Sequence, residues 1–135
     1  MADHFPWALS EMAAAVAVLN RENIRSTRAG SALREAARVL QQPGPLPAEQ
    51  LARLGIMPLD ASGRLLPFTS IVRQFERADP NNRDLMLIFG VQAGSSVGAL
   101  VRYGADVLSG LAAEVERSVD REFLIADTRR VLGLD

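Results

Sequence analysis

Residues 85–101 read LMLIFGVQAGSSVGALV, and this uncharged stretch carries the most structural information in the chain. Gly90, Gly94 and Gly98 recur in it at intervals of four residues. Residues with that spacing lie above one another on one face of a helix, and a face without side chains lets another backbone come close. The spacing therefore predicts a closely packed helix, although the apolar run at residues 85–93 is also compatible with a strand.

The predicted interaction surface combines this glycine face with the apolar stripe that follows it and extends as far as Phe123. The residues predicted to make the contact are Gly90, Gly94, Val97, Gly98, Val101, Leu108 and Leu111. The helix that packs on this face can belong to the same chain, to a second copy or to another protein, and the sequence leaves these alternatives open. Membrane insertion is not expected, because a spanning helix needs about 20 apolar residues and Gln92, Ser95 and Ser96 interrupt this run.

Composition limits the classes of protein to which the chain can belong. With 135 residues, of which 48% are hydrophobic, it is predicted to form one domain over residues 1–135 with its own core. Its 15 basic and 16 acidic residues nearly cancel, so no nucleic acid or anionic membrane is required as a partner. The absence of cysteine excludes disulfides and thiolate chemistry. Asp3 and Glu11 do not fit a signal peptide, and the expected location is the cytoplasm of a bacterium or a phage-infected cell.

Apolar residues at three- and four-residue spacing predict an all-α fold, a compact bundle of five to seven helices. The first helix is expected at about residues 6–20, and a second follows a polar interval and ends at about residue 41. Further helices are expected from 47 to 55, from 68 to 78, and from 82 onward. The last of these is expected to break near residues 94–96 and again between 110 and 119. Prolines and a glycine place a hinge at residues 42–47, and an irregular Pro/Gly-rich segment at about 55–67 is expected to form either a hairpin or an ordered loop.

One short motif resembles a catalytic site, because residues 94–98 read Gly-Ser-Ser-Val-Gly and fit Gly-x-Ser-x-Gly. In α/β-hydrolases this motif forms a strained turn that exposes the serine, which here would be Ser96. That serine needs a histidine that follows it in the chain, whereas the single histidine, His4, precedes Ser96 by 92 residues. We therefore predict that the protein is not an enzyme, with no catalytic residue, metal site or cofactor.

Residues 47–77 suggest a DNA-binding accessory protein as the alternative function. Residues 51–56 resemble the first helix and turn of a helix-turn-helix, and a second helix would follow at residues 68–77. The arginines that would contact phosphate are Arg53, Arg64, Arg73 and Arg77. Pro58, Gly63 and Pro67 interrupt the expected recognition helix, and the near-zero net charge gives little attraction to phosphate. The favoured function is therefore a non-enzymatic protein–protein interaction or assembly module, with nucleic acid a less favoured partner.

Overall fold

Residues 5–134 are described by a computed structural model, in which they form eight α-helices. The helices are α1 (Leu9–Arg21), α2 (Ser26–Gln41), α3 (Pro45–Leu54), α4 (Phe68–Ala78), α5 (Asn82–Phe89), α6 (Val91–Tyr103), α7 (Ala105–Arg117) and α8 (Arg121–Val131). The prediction of an all-α fold is confirmed, but the predicted number of five to seven helices is too low. His4 lies outside the described residues.

Two glycines account for the additional helix boundaries in the C-terminal half. Gly90 separates α5 from α6 with a φ of +86°, and Gly104 separates α6 from α7 with a φ of +96°. Residues with a side chain rarely adopt these angles, whereas glycine adopts them at little cost. The break expected near residues 94–96 is wrong, since α6 runs through them, and the break at Ser118 falls within the expected interval of 110–119.

The start of α5 is fixed by a capping box. The Asn81 side chain accepts a hydrogen bond of 2.8 Å from the Asp84 backbone N–H, and the Asp84 carboxylate accepts one of 3.0 Å from the Asn81 backbone N–H. The Arg53 guanidinium on α3 also donates to Asp84 at 2.5 Å. Residues 82–89 are therefore helical, which decides between the helix and strand alternatives, and the same carboxylate connects α5 to α3.

The hydrophobic core forms around α1, which packs against α2, α6, α7 and α8. Helix α5 lies on α2, α3 and α6. The largest fully buried side chains are Met12, Leu19, Leu33, Leu40, Phe75, Leu100, Leu108 and Leu132. These residues come from α1, α2, α4, α6, α7 and the end of α8, so nearly every element contributes to a continuous apolar interior.

The segment between α3 and α4 contains an isolated antiparallel bridge between Leu59 and Leu65 and no helix. Hydrogen bonds from Trp7 and from Gln74 on α4 fix this segment against the helices. The indole N–H of Trp7 donates to the Leu66 carbonyl at 3.1 Å. The Gln74 side-chain amide accepts from the Met57 N–H at 2.7 Å and donates to the Met57 carbonyl at 2.9 Å. Satisfying these backbone groups allows an irregular segment to lie against the helices.

Glu11 on α1 lies against the start of α4 in a partly buried position. Burial raises the pKa of its carboxyl above the ordinary value. Hydrogen bonds from the Thr69 hydroxyl, at 3.3 Å, and from the Phe68 backbone N–H lower the pKa and oppose this effect. The charged form of Glu11 is therefore less favourable in the folded protein than in the unfolded chain.

We expect Glu11→Gln to stabilise the protein at neutral pH. A carboxyl with a raised folded-state pKa favours folding while it is protonated, and that contribution is lost as the pH rises through the folded-state pKa. Glutamine is neutral throughout, so the advantage of the variant should shrink as the pH falls through the raised folded-state pKa and should vanish below about 4, the ordinary range of glutamate. Urea unfolding of both proteins at pH 7 and below pH 4 measures the difference between their free energies of unfolding. An equal difference in the free energy of unfolding at the two pH values would contradict a raised pKa for Glu11.

Candidate functional site

The glycine face of α6 is occupied by α5 of the same chain. A Cβ atom built on Gly94 would lie 2.8 Å from the Leu85 carbonyl oxygen and 3.3 Å from the Met86 nitrogen. One built on Gly98 would lie 3.2 Å from the Leu85 Cδ1. Distances below about 3 Å to backbone cannot be accommodated in place, so the absence of a side chain at Gly94 permits α5 to cross α6 there.

Gly90 does not share this face, which corrects the prediction for that residue. It lies between α5 and α6, and a Cβ built on it would meet nothing within 4 Å. The four-residue spacing implies a common face only if one helix continues from 90 to 98, and the positive φ of Gly90 interrupts it. Its role is the sharp change of chain direction between the two helices.

The other predicted contact residues lie partly or wholly inside the fold. Leu108 on α7 is fully buried in the core. Val97, Val101 and Leu111 are partly buried and pack against the core. Their contact with a partner chain stays a prediction. The apolar stripe is not one continuous helix, since it is divided at Gly104 and Ser118.

A groove remains open beside the crossing of α5 and α6, and we call it the α5–α6 groove. It has a volume of about 350 Å³ and is lined by Asn82, Met86, Val91, Gly94, Ser95 and Arg102. Met86 is 47% exposed and Val91 is 68% exposed, although both are large and apolar. Arg102 is the single charged residue of the lining, and its Nη1 lies 3.5 Å from where a Gly98 Cβ would be. The groove therefore offers apolar surface beside one cation.

A second exposed apolar feature comprises the turn between α7 and α8 and the first three residues of α8, residues 118–123, which we call the α7–α8 corner. Val119 is completely exposed and Phe123 is 67% exposed. Asp120 and Glu122 are exposed beside them, whereas Arg121 forms an ion pair of 2.7 Å with Glu116. The corner thus presents apolar side chains together with an excess of negative charge.

Ser96 lies within the regular part of α6 and is 4% exposed. A hydrolase nucleophile stands on a sharp turn that follows a strand, whereas residues 94–98 are helical in this structure. The geometry at Ser96 therefore resembles that of a small residue packed inside a bundle.

We expect Ser96→Ala to leave hydrolysis of short activated esters at the buffer background, as in the parent protein. Its free energy of unfolding should change by about 1 kcal/mol or less, because one small residue replaces another. A chromogenic acetate ester and thermal unfolding provide the two measurements, with Ser95→Ala on the exposed side of α6 as the control. Ester turnover that the parent shows and Ser96→Ala loses would support a hydrolase instead.

The region considered for DNA binding does not form a compact helix-turn-helix. Residues 55–67 separate α3 from α4 and contain no helix. Two of the four arginines proposed for phosphate contacts form ion pairs within the chain, Arg53 with Asp84 and Arg73 with Asp106, the latter at 3.0 Å. These pairs reduce the positive charge available to a nucleic acid.

Within residues 5–134, no group of three His, Cys, Asp or Glu side chains is arranged to hold a metal ion. None of the helices in that part of the chain combines the length and apolar character needed to cross a membrane.

Comparison with known proteins gives one informative similarity. The chain is 26% identical over 107 residues to the tape measure protein of Pneumococcus phage Dp-1. The similar region covers 75% of this chain but only 9% of the length of the phage protein. No protein-family model matches the chain, and no solved structure matches it. The chain is therefore similar to a small part of a much longer phage protein.

Proposed function

We propose that this chain is a non-enzymatic helical module that assembles with another protein chain through the α5–α6 groove. The groove is the observation that carries the proposal, because it combines two exposed apolar side chains with a close helix crossing. The similarity to a phage tape measure protein supports a structural role rather than a chemical one. On this proposal the chain acts in the cytoplasm of a bacterium or a phage-infected cell.

The expected mode of binding is an amphipathic partner segment that lies in the groove with its apolar side inward. Met86 and Val91 would then lose their contact with water. Complete burial of a fully exposed side chain of this size contributes about 1.5–3 kcal/mol, and Met86 and Val91, which are already partly buried, would contribute less. Stable interfaces usually bury about 800 Å² on each partner, so the groove would be the apolar centre of a larger contact with a polar rim.

Incorporation of a photo-crosslinking amino acid at Met86 in the cells that make the protein tests this proposal. Leu46 on α3 provides a matched control, because it has the same exposure of 47% and does not line the groove. We expect a discrete protein adduct from position 86, identified by mass spectrometry, and none from position 46. Equal labelling at both positions, or no adduct at position 86, would contradict an assembly role for the groove.

A further inference from the structure

We propose that the partner in the groove is the α7–α8 corner of a second copy of this chain, so that the protein associates head to tail. This inference rests on the proposed assembly function and adds the identity of the partner. These two surfaces would meet, with Phe123 of one copy entering the α5–α6 groove of the next.

Charge complementarity is the first support for this pairing. Arg102 is the single charged residue in the lining of the groove. Asp120 and Glu122 are exposed beside Val119 and Phe123. Of the two neighbouring cations, Arg121 is paired with Glu116 and Arg117 is exposed, so residues 116–123 carry an excess of one negative charge. An apolar groove with a cation would therefore meet an apolar corner of net negative charge, which favours this pairing over corner-to-corner contact.

Size is the second support. A cavity of about 150 Å³ in an engineered protein core binds benzene. The α5–α6 groove has about 350 Å³ and is open to solvent on one side, so its size does not prevent entry of the ring of Phe123.

The positions of the two surfaces in the fold permit a head-to-tail contact. Helix α5 packs on α2, α3 and α6, while α8 packs on α1, α2 and α7, so the groove and the corner are built on different helices. In a head-to-tail dimer, one groove and one corner remain unused. Such contacts add further copies until a ring closes or a filament forms.

Two variants that each remove one surface test the proposal. Val91→Glu places an anion in the groove, and Phe123→Ser removes the ring from the corner. Both positions are largely exposed, so circular dichroism and melting temperature should match the parent. We expect sedimentation equilibrium to show that the parent forms species larger than a dimer as its concentration rises, and that each variant alone is a monomer. Leu46→Glu should associate like the parent.

The decisive sample is an equimolar mixture of the two variants. The intact corner of Val91→Glu can occupy the intact groove of Phe123→Ser, so the mixture should form a 1:1 dimer and nothing larger. A mixture that stays monomeric while the parent associates would overturn the proposal, as would association of either variant alone. A parent that is monomeric at all concentrations would also overturn it. An adduct between position 86 and a different protein would then leave the broader assembly function standing.

Discussion

Replacement of Gly94 by leucine is expected to destabilise the protein by about 1–3 kcal/mol, the usual cost of overpacking an interior contact. The first side-chain carbon already falls 2.8 Å from the Leu85 carbonyl oxygen, and backbone atoms cannot rotate away as a flexible side chain can. Relief requires α5 to move away from α6. That movement would disturb Ile88 and Phe89, which α5 contributes to the core. The melting temperature should fall by several degrees.

Gly110→Leu is the matched control for this substitution. Gly110 is also inside a helix, α7, but a Cβ there would meet nothing within 4 Å. Leucine has a higher helix propensity than glycine by up to about 1 kcal/mol, so Gly110→Leu should leave stability unchanged or raise it. Thermal unfolding of the two variants should give opposite signs. A Gly94→Leu protein that melts at or above the parent temperature would show that the crossing of α5 and α6 is not tight.

Local patterns in the sequence were sufficient to predict several helices. Either Asn81 or Asn82 can cap a helix that has Asp84 in its first turn, and in the structure Asn81 is the cap, with Asp84 completing a capping box. Pro80, just before them, separates α4 from α5 because the residue that precedes a proline avoids helical geometry. These signals depend only on neighbouring residues, and so they can be interpreted without knowledge of the tertiary fold.

The role of each glycine could not be predicted from spacing alone. Gly90 and Gly94 are four residues apart, but Gly90 changes the direction of the chain between two helices, whereas Gly94 lies at a helix contact. The backbone angles distinguish these two roles, and the spacing does not. Likewise, the apolar stripe predicts burial of Phe123 as well as Leu108, whereas Ser118 ends α7 and leaves Phe123 exposed. Which apolar residues stay at the surface depends on how helices pack across the fold.

Gly30 makes a close contact that was not predicted from the sequence. It lies inside α2 and is buried against the end of α8, about a hundred residues later in the chain. An isolated glycine inside a helical pattern is a signal for such packing, because it lowers helix stability without local benefit. The arginines and alanines around it formed an ordinary amphipathic pattern and gave no indication of the partner.

We expect Gly30→Ala to destabilise the protein although only one methyl group is added. The Cβ would lie 2.1 Å from the Val131 carbonyl oxygen, which is closer than any tolerated contact, so α2 and the end of α8 must separate. Separation would break the hydrogen bond of 3.4 Å from Arg34 to that carbonyl and expose Leu132, which is completely buried. Loss of the Leu132 contact alone would cost about 1.5–3 kcal/mol.

In Gly30→Ala, local detachment of α8 should require less free energy than unfolding of the whole protein, because the remaining helices can keep their core when α8 separates. Hydrogen exchange should therefore accelerate at residues 128–134 of Gly30→Ala while protection in α1 and α6 changes less. Gly110→Ala supplies the control, since alanine is favoured over glycine in an open helix position by about 1 kcal/mol and should raise the melting temperature. If Gly30→Ala also melted higher, with residues 128–134 as well protected as in the parent, the close contact between α2 and α8 would be refuted.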